Sequence, residues 1–118
     1  MNPADYYDPR TMSAEREYEL ALALLAAVAA RPAPCQLIGD VSETVAPPPR
    51  NEHGRVDGRT RAGKAWYQDS LDVIWVACRL VEDGELSEEP KPDGGTPWML
   101  SITDAGRERL KAVTAAAP

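Results

Sequence analysis

Residues 71 to 86 read Leu71-Asp72-Val73-Ile74-Trp75-Val76-Ala77-Cys78-Arg79-Leu80-Val81-Glu82-Asp83-Gly84-Glu85-Leu86, and residues 98 to 106 read Trp98-Met99-Leu100-Ser101-Ile102-Thr103-Asp104-Ala105-Gly106. Leu71, Ile74, Trp75, Cys78 and Val81 recur at near-helical spacing with Leu80 beside them, which predicts a helix over about 65–83 with that stripe in the core. Gly84 is the expected stop, because glycine enters the left-handed conformation that closes a helix without a Cβ clash. Leu86 then opens a strand, Pro90-Lys91-Pro92-Asp93-Gly94-Gly95 supplies a turn, and Trp98, Leu100 and Ile102 alternate as a half-buried second strand. Thr103 is placed to cap a last helix that buries Leu110 and Val113.

Upstream, Ser13 is a good N-cap for a first helix, with Glu15, Glu17 and Glu19 near its positive end. Its expected buried stripe is Tyr18, Leu22, Leu25 and Ala29, widened by Ala21 and Val28, and Pro32 and Pro34 end it. A second helix is expected over Cys35 to Val45, where Leu37, Ile38, Val41 and Val45 share a face. Pro47-Pro48-Pro49 terminates it. From Arg50 to Gly63 nothing is periodic, and a loop of about 14 residues is expected, long enough to signal function or disorder. Residues 1 to 12 carry Pro3, Tyr6, Tyr7 and Pro9 without apolar period and form an N-terminal arm.

The whole therefore predicts a mainly α fold with a small β-hairpin, a winged helix-turn-helix, as one domain over 13–115 with its wing at about 86–102. A chain of 118 residues can bury a core without disulfides or metal. Its 43% hydrophobic and 27% charged residues are ordinary for a globular domain, and no window approaches the roughly 20 apolar residues of a membrane span. The apolar run from Leu20 to Ala30 is too short and alanine-rich for a signal peptide, so the expectation is a cytoplasmic protein with no membrane partner. Cys35 and Cys78 are expected as buried thiols, and with a single histidine no zinc site, metal or cofactor is implied. Abundant Ala, Arg, Pro and Gly points to a high-GC genome, that of an actinobacterium or its phage.

From Trp75 to Leu86, and again from Trp98 to Arg107, the pattern resembles the N-terminal winged-helix domain of Mrr-type restriction endonucleases, over roughly residues 34–112. In that family a helix carrying a tryptophan-alanine pair leads through a glycine-leucine turn to a tryptophan-bearing wing strand and a Thr-x-x-Gly helix start. Here Val76 separates Trp75 from Ala77, and the turn reads Gly84-Glu85-Leu86. The family's separate nuclease domain has no counterpart in these residues. The resemblance therefore implies DNA binding and not cleavage.

The net charge of −6 argues against a polyanion partner until it is resolved along the chain: residues 1–49 sum to −4, 50–64 to +3 and 65–118 to −5. A local basic face, not the total, sets phosphate binding. Arg50, Arg55, Arg59, Arg61 and Lys64 are the candidate phosphate contacts, weighed against a merely solubilising loop. Lys64, Tyr67, Gln68 and Arg79 on the third helix are candidates for base edges. Asp69 and Asp72 on the same helix oppose this unless they face away, or one accepts from a cytosine amino group. The wing tip, with Glu88, Glu89 and Asp93 against Lys91, is a poor minor-groove probe and a candidate protein contact. Trp75 and Trp98 are expected in the core.

Catalytic signals are weak. Glu89-Pro90-Lys91 faintly echoes a metal-dependent nuclease, His53 has no nucleophile placed beside it, and no phosphate loop occurs. The expected function is a non-enzymatic reader of duplex DNA in transcriptional regulation or restriction-associated host defence. It would act as a homodimer through the Ala/Leu face of the first helix or through the tail helix. The alternative is a winged-helix protein-interaction module, a phage-encoded inhibitor or assembly factor, without DNA binding.

Overall fold

The structure, a computed structural model, describes residues 12–89 and 97–116. Residues 1–11 of the expected arm and residues 90–96 of the hairpin, with Lys91 and Asp93 of its acidic tip, lie outside the described residues. Met12, the last residue of that arm, packs partly buried against the core.

The first helix, α1 (Ala14–Ala29), is capped by Ser13, whose hydroxyl accepts from the Arg16 amide at 3.1 Å, with Glu15 and Glu17 in its first turn. Its buried residues are Leu20, Ala21, Leu24, Leu25, Ala27 and Val28. The expected stripe is thus corrected: Tyr18 is 49% exposed and lies beneath the Arg109 guanidinium, 5.8 Å from its ring centroid. This Ala/Leu face, expected to offer a dimer contact, is occupied in the chain's own core.

The expected second helix is three pieces. Strand β1 (Cys35–Gln36) comes first, then a wide turn over Leu37–Val41, then a single turn of helix, α2 (Ser42–Val45). Ile38 is extended (ψ 127°) and 47% exposed, and Gly39 sits at φ +86°, a conformation costly for any side chain. Of the expected face only Leu37 and Val41 are fully buried, while Ile38 turns outward and Val45 is half-buried, because the backbone between them is not helical. Arg31 holds the pieces together. Its guanidinium donates to the Ala27 carbonyl at 2.6 Å, to Asp40 at 3.1 Å and to Thr44 at 2.6 Å.

The long helix α3 (Arg61–Glu82) begins at the Thr60 cap, four residues earlier than expected, and closes into Gly84 at φ +77°. Its buried residues are Gly63, Asp72, Val73, Val76, Ala77 and Leu80. Leu71, Ile74, Trp75, Cys78 and Val81, the expected stripe, are only half-buried. The physical reason lies in α1. Helix α3 packs on α1, and Asp72 turns inward to meet Arg16 there, on the side where Val73, Val76 and Ala77 are buried.

Strands β2 (Leu86–Glu88) and β3 (Met99–Ile102) pair antiparallel with Leu86 opposite Ile102. β1 joins the other edge of β3, Cys35 opposite Leu100, so the sheet has three strands in the order β1-β3-β2 where a two-stranded hairpin was expected. The last helix, α4 (Asp104–Ala116), packs on α1. Thr103 caps it: its hydroxyl accepts from the Gly106 amide at 3.2 Å and donates to the Gly84 carbonyl at 2.6 Å. The core lies between α1, α3 and the sheet, with Leu24, Leu25, Leu37, Leu86 and Leu100 fully buried. Trp75 and Trp98 pack against it partly buried. Among the described residues no helix is long and apolar enough to cross a membrane.

Cys35 is buried as expected, while Cys78 is half-buried, and no disulfide joins them. Burial pushes the Cys35 thiol above its ordinary range, with the Arg31 charge opposing, and its S–H donates to the Leu100 carbonyl at 3.6 Å. In a Cys78→Ser variant, thiol labelling should therefore track unfolding and speed up with denaturant. Rapid labelling of that variant in native buffer would contradict the burial.

Candidate nucleic-acid interface

The loop between α2 and α3 is more ordered than its sequence suggests. Residues 50–56 fold into a small hairpin, with an Arg50–Val56 bridge and the Asn51 amide donating to the Arg55 carbonyl at 2.8 Å. The Asn51 side-chain oxygen accepts from the His53 and Arg55 amides at 2.9 and 3.1 Å, an Asx turn that the Asn51…Gly54 spacing signals. The segment then runs to Thr60, whose hydroxyl accepts from the Gly63 amide at 2.9 Å and donates to the Asp57 carbonyl at 2.8 Å. Trp66 fastens this end of α3 by donating its indole N–H to the Ala46 carbonyl at 2.9 Å.

The five basic candidates divide into two kinds. Arg50 is structural: its guanidinium donates to the Gly54 carbonyl at 3.0 Å and to Glu43 at 2.8 Å. Arg59 forks onto Asp57 at 3.1 and 3.2 Å, and its side chain together with its amide holds the Asp57 carboxyl below the ordinary carboxylate range. The side chains of Arg55, Arg61 and Lys64 are exposed and make no hydrogen bond or ion pair among the described residues. Two of the three, Arg61 and Lys64, lie in the first turn of α3, which contains no acidic residue. Cations at the positive end of a helix dipole are unfavourable by about 0.3–1 kcal/mol each, so this placement strains the free protein and is relieved by an anion.

Tyr67, 62% exposed, and Gln68 continue the same end of the helix. The Gln68 amide donates to Asp72 at 3.3 Å, which turns it toward α1. Asp69 and Asp72, the carboxylates that opposed a polyanion on this helix, are both held by Arg16, at 2.8 and 3.0 Å. Replacing Arg16 with alanine should cost about 2 kcal/mol in a urea titration, because the nearly buried Asp72 loses its charged partner. Asp69→Ala, at a surface pair, should cost under about 1 kcal/mol. Equal costs would show that burial of Asp72 does not matter.

Arg79 is not brought together with the others. It lies 15 residues beyond Lys64, about 22 Å along the helix, stacks over Trp75 at 5.3 Å and lines a separate groove of about 200 Å³ with Tyr18, Val76 and Arg109. A feature the sequence pattern does not reveal sits beside Lys64: a mostly apolar cleft of about 360 Å³ lined by Val56, Gly58, Gly63, Lys64, Trp66 and Tyr67. Only the fold brings Val56 to the aromatic pair.

Among the described residues no group of three or more His, Cys, Asp or Glu side chains is placed to hold a metal ion. His53 is exposed beside Glu52 at 3.5 Å, and Pro90 and Lys91 of the faint nuclease pattern lie outside the described residues. No family model, no curated protein and no solved structure matches the chain.

Proposed function

We propose that this chain is a DNA-binding module of the winged helix-turn-helix type, a reader of duplex DNA in transcriptional regulation or host defence. One observation carries the reading: Arg61 and Lys64 in the first turn of α3, and Arg55 in the segment leading to it, have no anionic partner among the described residues, where the fold itself has no use for positive charge. Two features support it. The strand order β1-β3-β2, with α1 ahead of the sheet and α2 and α3 between β1 and β2, agrees with the order a winged helix would have. The helix carboxylates Asp69 and Asp72 are drawn to Arg16 on the α1 side, which halves their net charge. Arg55, Arg61 and Lys64 would meet phosphates, with α3 entering the major groove by its first two turns. One module spans few base pairs, so two copies on paired half-sites belong to the proposal. The likeness to Mrr-type N-terminal domains rests on the sequence pattern alone.

The test is fluorescence anisotropy with a labelled mixed-sequence duplex. Three phosphate contacts predict that raising salt from about 50 to 200 mM weakens binding about 40-fold, and that the Arg55/Arg61/Lys64→Ala triple variant binds at least about tenfold less tightly with a nearly flat salt response. A wild-type protein that ignores the duplex at 50 mM salt would overturn the reading in favour of a protein-interaction module.

A further inference from the structure

Resting on that reading, we propose that the cleft between the 56–58 segment and the start of α3 takes a single unstacked nucleobase, so that the chain grips a single-stranded or locally opened stretch of DNA. The cleft is about 360 Å³, at the small end of the roughly 300–1,000 Å³ of ordinary ligand sites, which suits one planar ring system. Its lining supplies two aromatic side chains, Trp66 and Tyr67, with Val56 and two glycines. The Trp66 indole is fixed by its bond to the Ala46 carbonyl, giving a preset wall, whereas Tyr67 is 62% exposed and contributes a π-face.

Exposed aromatic area of this kind has no role in the core. A base inside a duplex is covered on both faces by its neighbours and cannot enter; a base from a single strand, or one swung out of the stack, can. The rim favours a nucleotide over an apolar peptide side chain. Lys64 lines the cleft, Arg55 precedes Val56 in the chain, Arg61 shares the first turn, and none of the three is paired among the described residues. Asp57 is the nearest carboxylate in sequence, and Arg59 already neutralises it at 3.1 Å. Aromatic stacking with cations along the backbone is how single strands are held without sequence reading.

The experiment compares anisotropy of a labelled 12-mer of thymidylate with that of a mixed-sequence duplex, for wild type, Tyr67→Ala and Tyr67→Phe, with thermal melts establishing that each variant folds. Expected is measurable binding of the single strand, weakened by Tyr67→Ala about tenfold more than duplex binding is, and restored by Tyr67→Phe, which keeps the ring. If wild type binds the duplex but not the thymidylate strand, or if Tyr67→Ala weakens both alike, the nucleobase cleft is wrong while the DNA-binding reading stands. If neither nucleic acid binds, the DNA-binding reading itself falls.

Discussion

Replacing Leu100 with alanine should lower the unfolding free energy by about 3–4 kcal/mol, a large share of the roughly 5–15 kcal/mol that holds such a domain together. Leu100 is fully buried on the central strand, opposite Cys35 of β1 on one side and Glu88 of β2 on the other. Truncation removes its transfer free energy and leaves a cavity among residues fixed by helices on one side and strand pairing on the other, so little collapse can fill it. A fall in melting temperature of about 10 °C or more should accompany it. The informative comparison is Leu71→Ala. Spacing alone ranks Leu71 with the core, but it is only half-buried on α3, and its truncation should cost about 1 kcal/mol or less. A larger loss at Leu71 than at Leu100 in urea titrations would mean that the face of α3 turned to α1 has been misassigned.

Gly106→Ala sets two effects of opposite sign against each other. Helix propensity favours alanine over glycine by about 1 kcal/mol inside a helix. At this position, however, a Cβ would overlap the Glu85 carbonyl oxygen and stand 2.8 Å from Ile102 Cγ1 and 3.2 Å from Leu25 Cδ2. The oxygen is not free to move aside, because it accepts the Thr103 amide at 3.2 Å, and Glu85 is further held by Arg109 at 2.8 Å. Steric cost should win, with a net loss of about 3 kcal/mol. Gly58→Ala, where a Cβ meets nothing within 4 Å, should be neutral or stabilising by about 0.5 kcal/mol. Should Gly106→Ala raise the melting temperature, the close approach of α4 to the start of β2 is not as described.

That glycine also explains the Thr103-x-x-Gly106 motif. Thr103 ties the cap of α4 to the end of α3 through the Gly84 carbonyl, and Gly106 lets the helix settle against Glu85. The spacing was legible in the sequence as a capped helix start. Its second duty, joining two ends that are 19 residues apart, was not, because a hydroxyl's partner across space leaves no periodic trace.

The candidate site was legible in the same uneven way. Charge counting along the chain located the basic segment, and turn chemistry located its glycines. Counting does not distinguish Arg50, drawn to Glu43 and Gly54, from Arg55, whose side chain has no such partner among the described residues. Nor does it place Asp69 and Asp72 under one guanidinium from a helix more than fifty residues earlier.

By itself the sequence determined the start and stop of α1, the start of the last helix and the C-terminal end of α3, together with the hairpin strands. Caps, glycine stops and short-range alternation are local effects, each written within a few neighbouring residues. Tertiary structure alone decided which face of α1 and α3 is buried, that Cys35–Gln36 is a strand and not helix, which cations remain unpaired, and that Val56 closes a cleft against Trp66 and Tyr67. Those outcomes depend on partners distant in the chain. A helix rich in apolar residues on several sides is compatible with more than one buried face, and a two-residue strand has no pattern of its own until β3 supplies its hydrogen bonds.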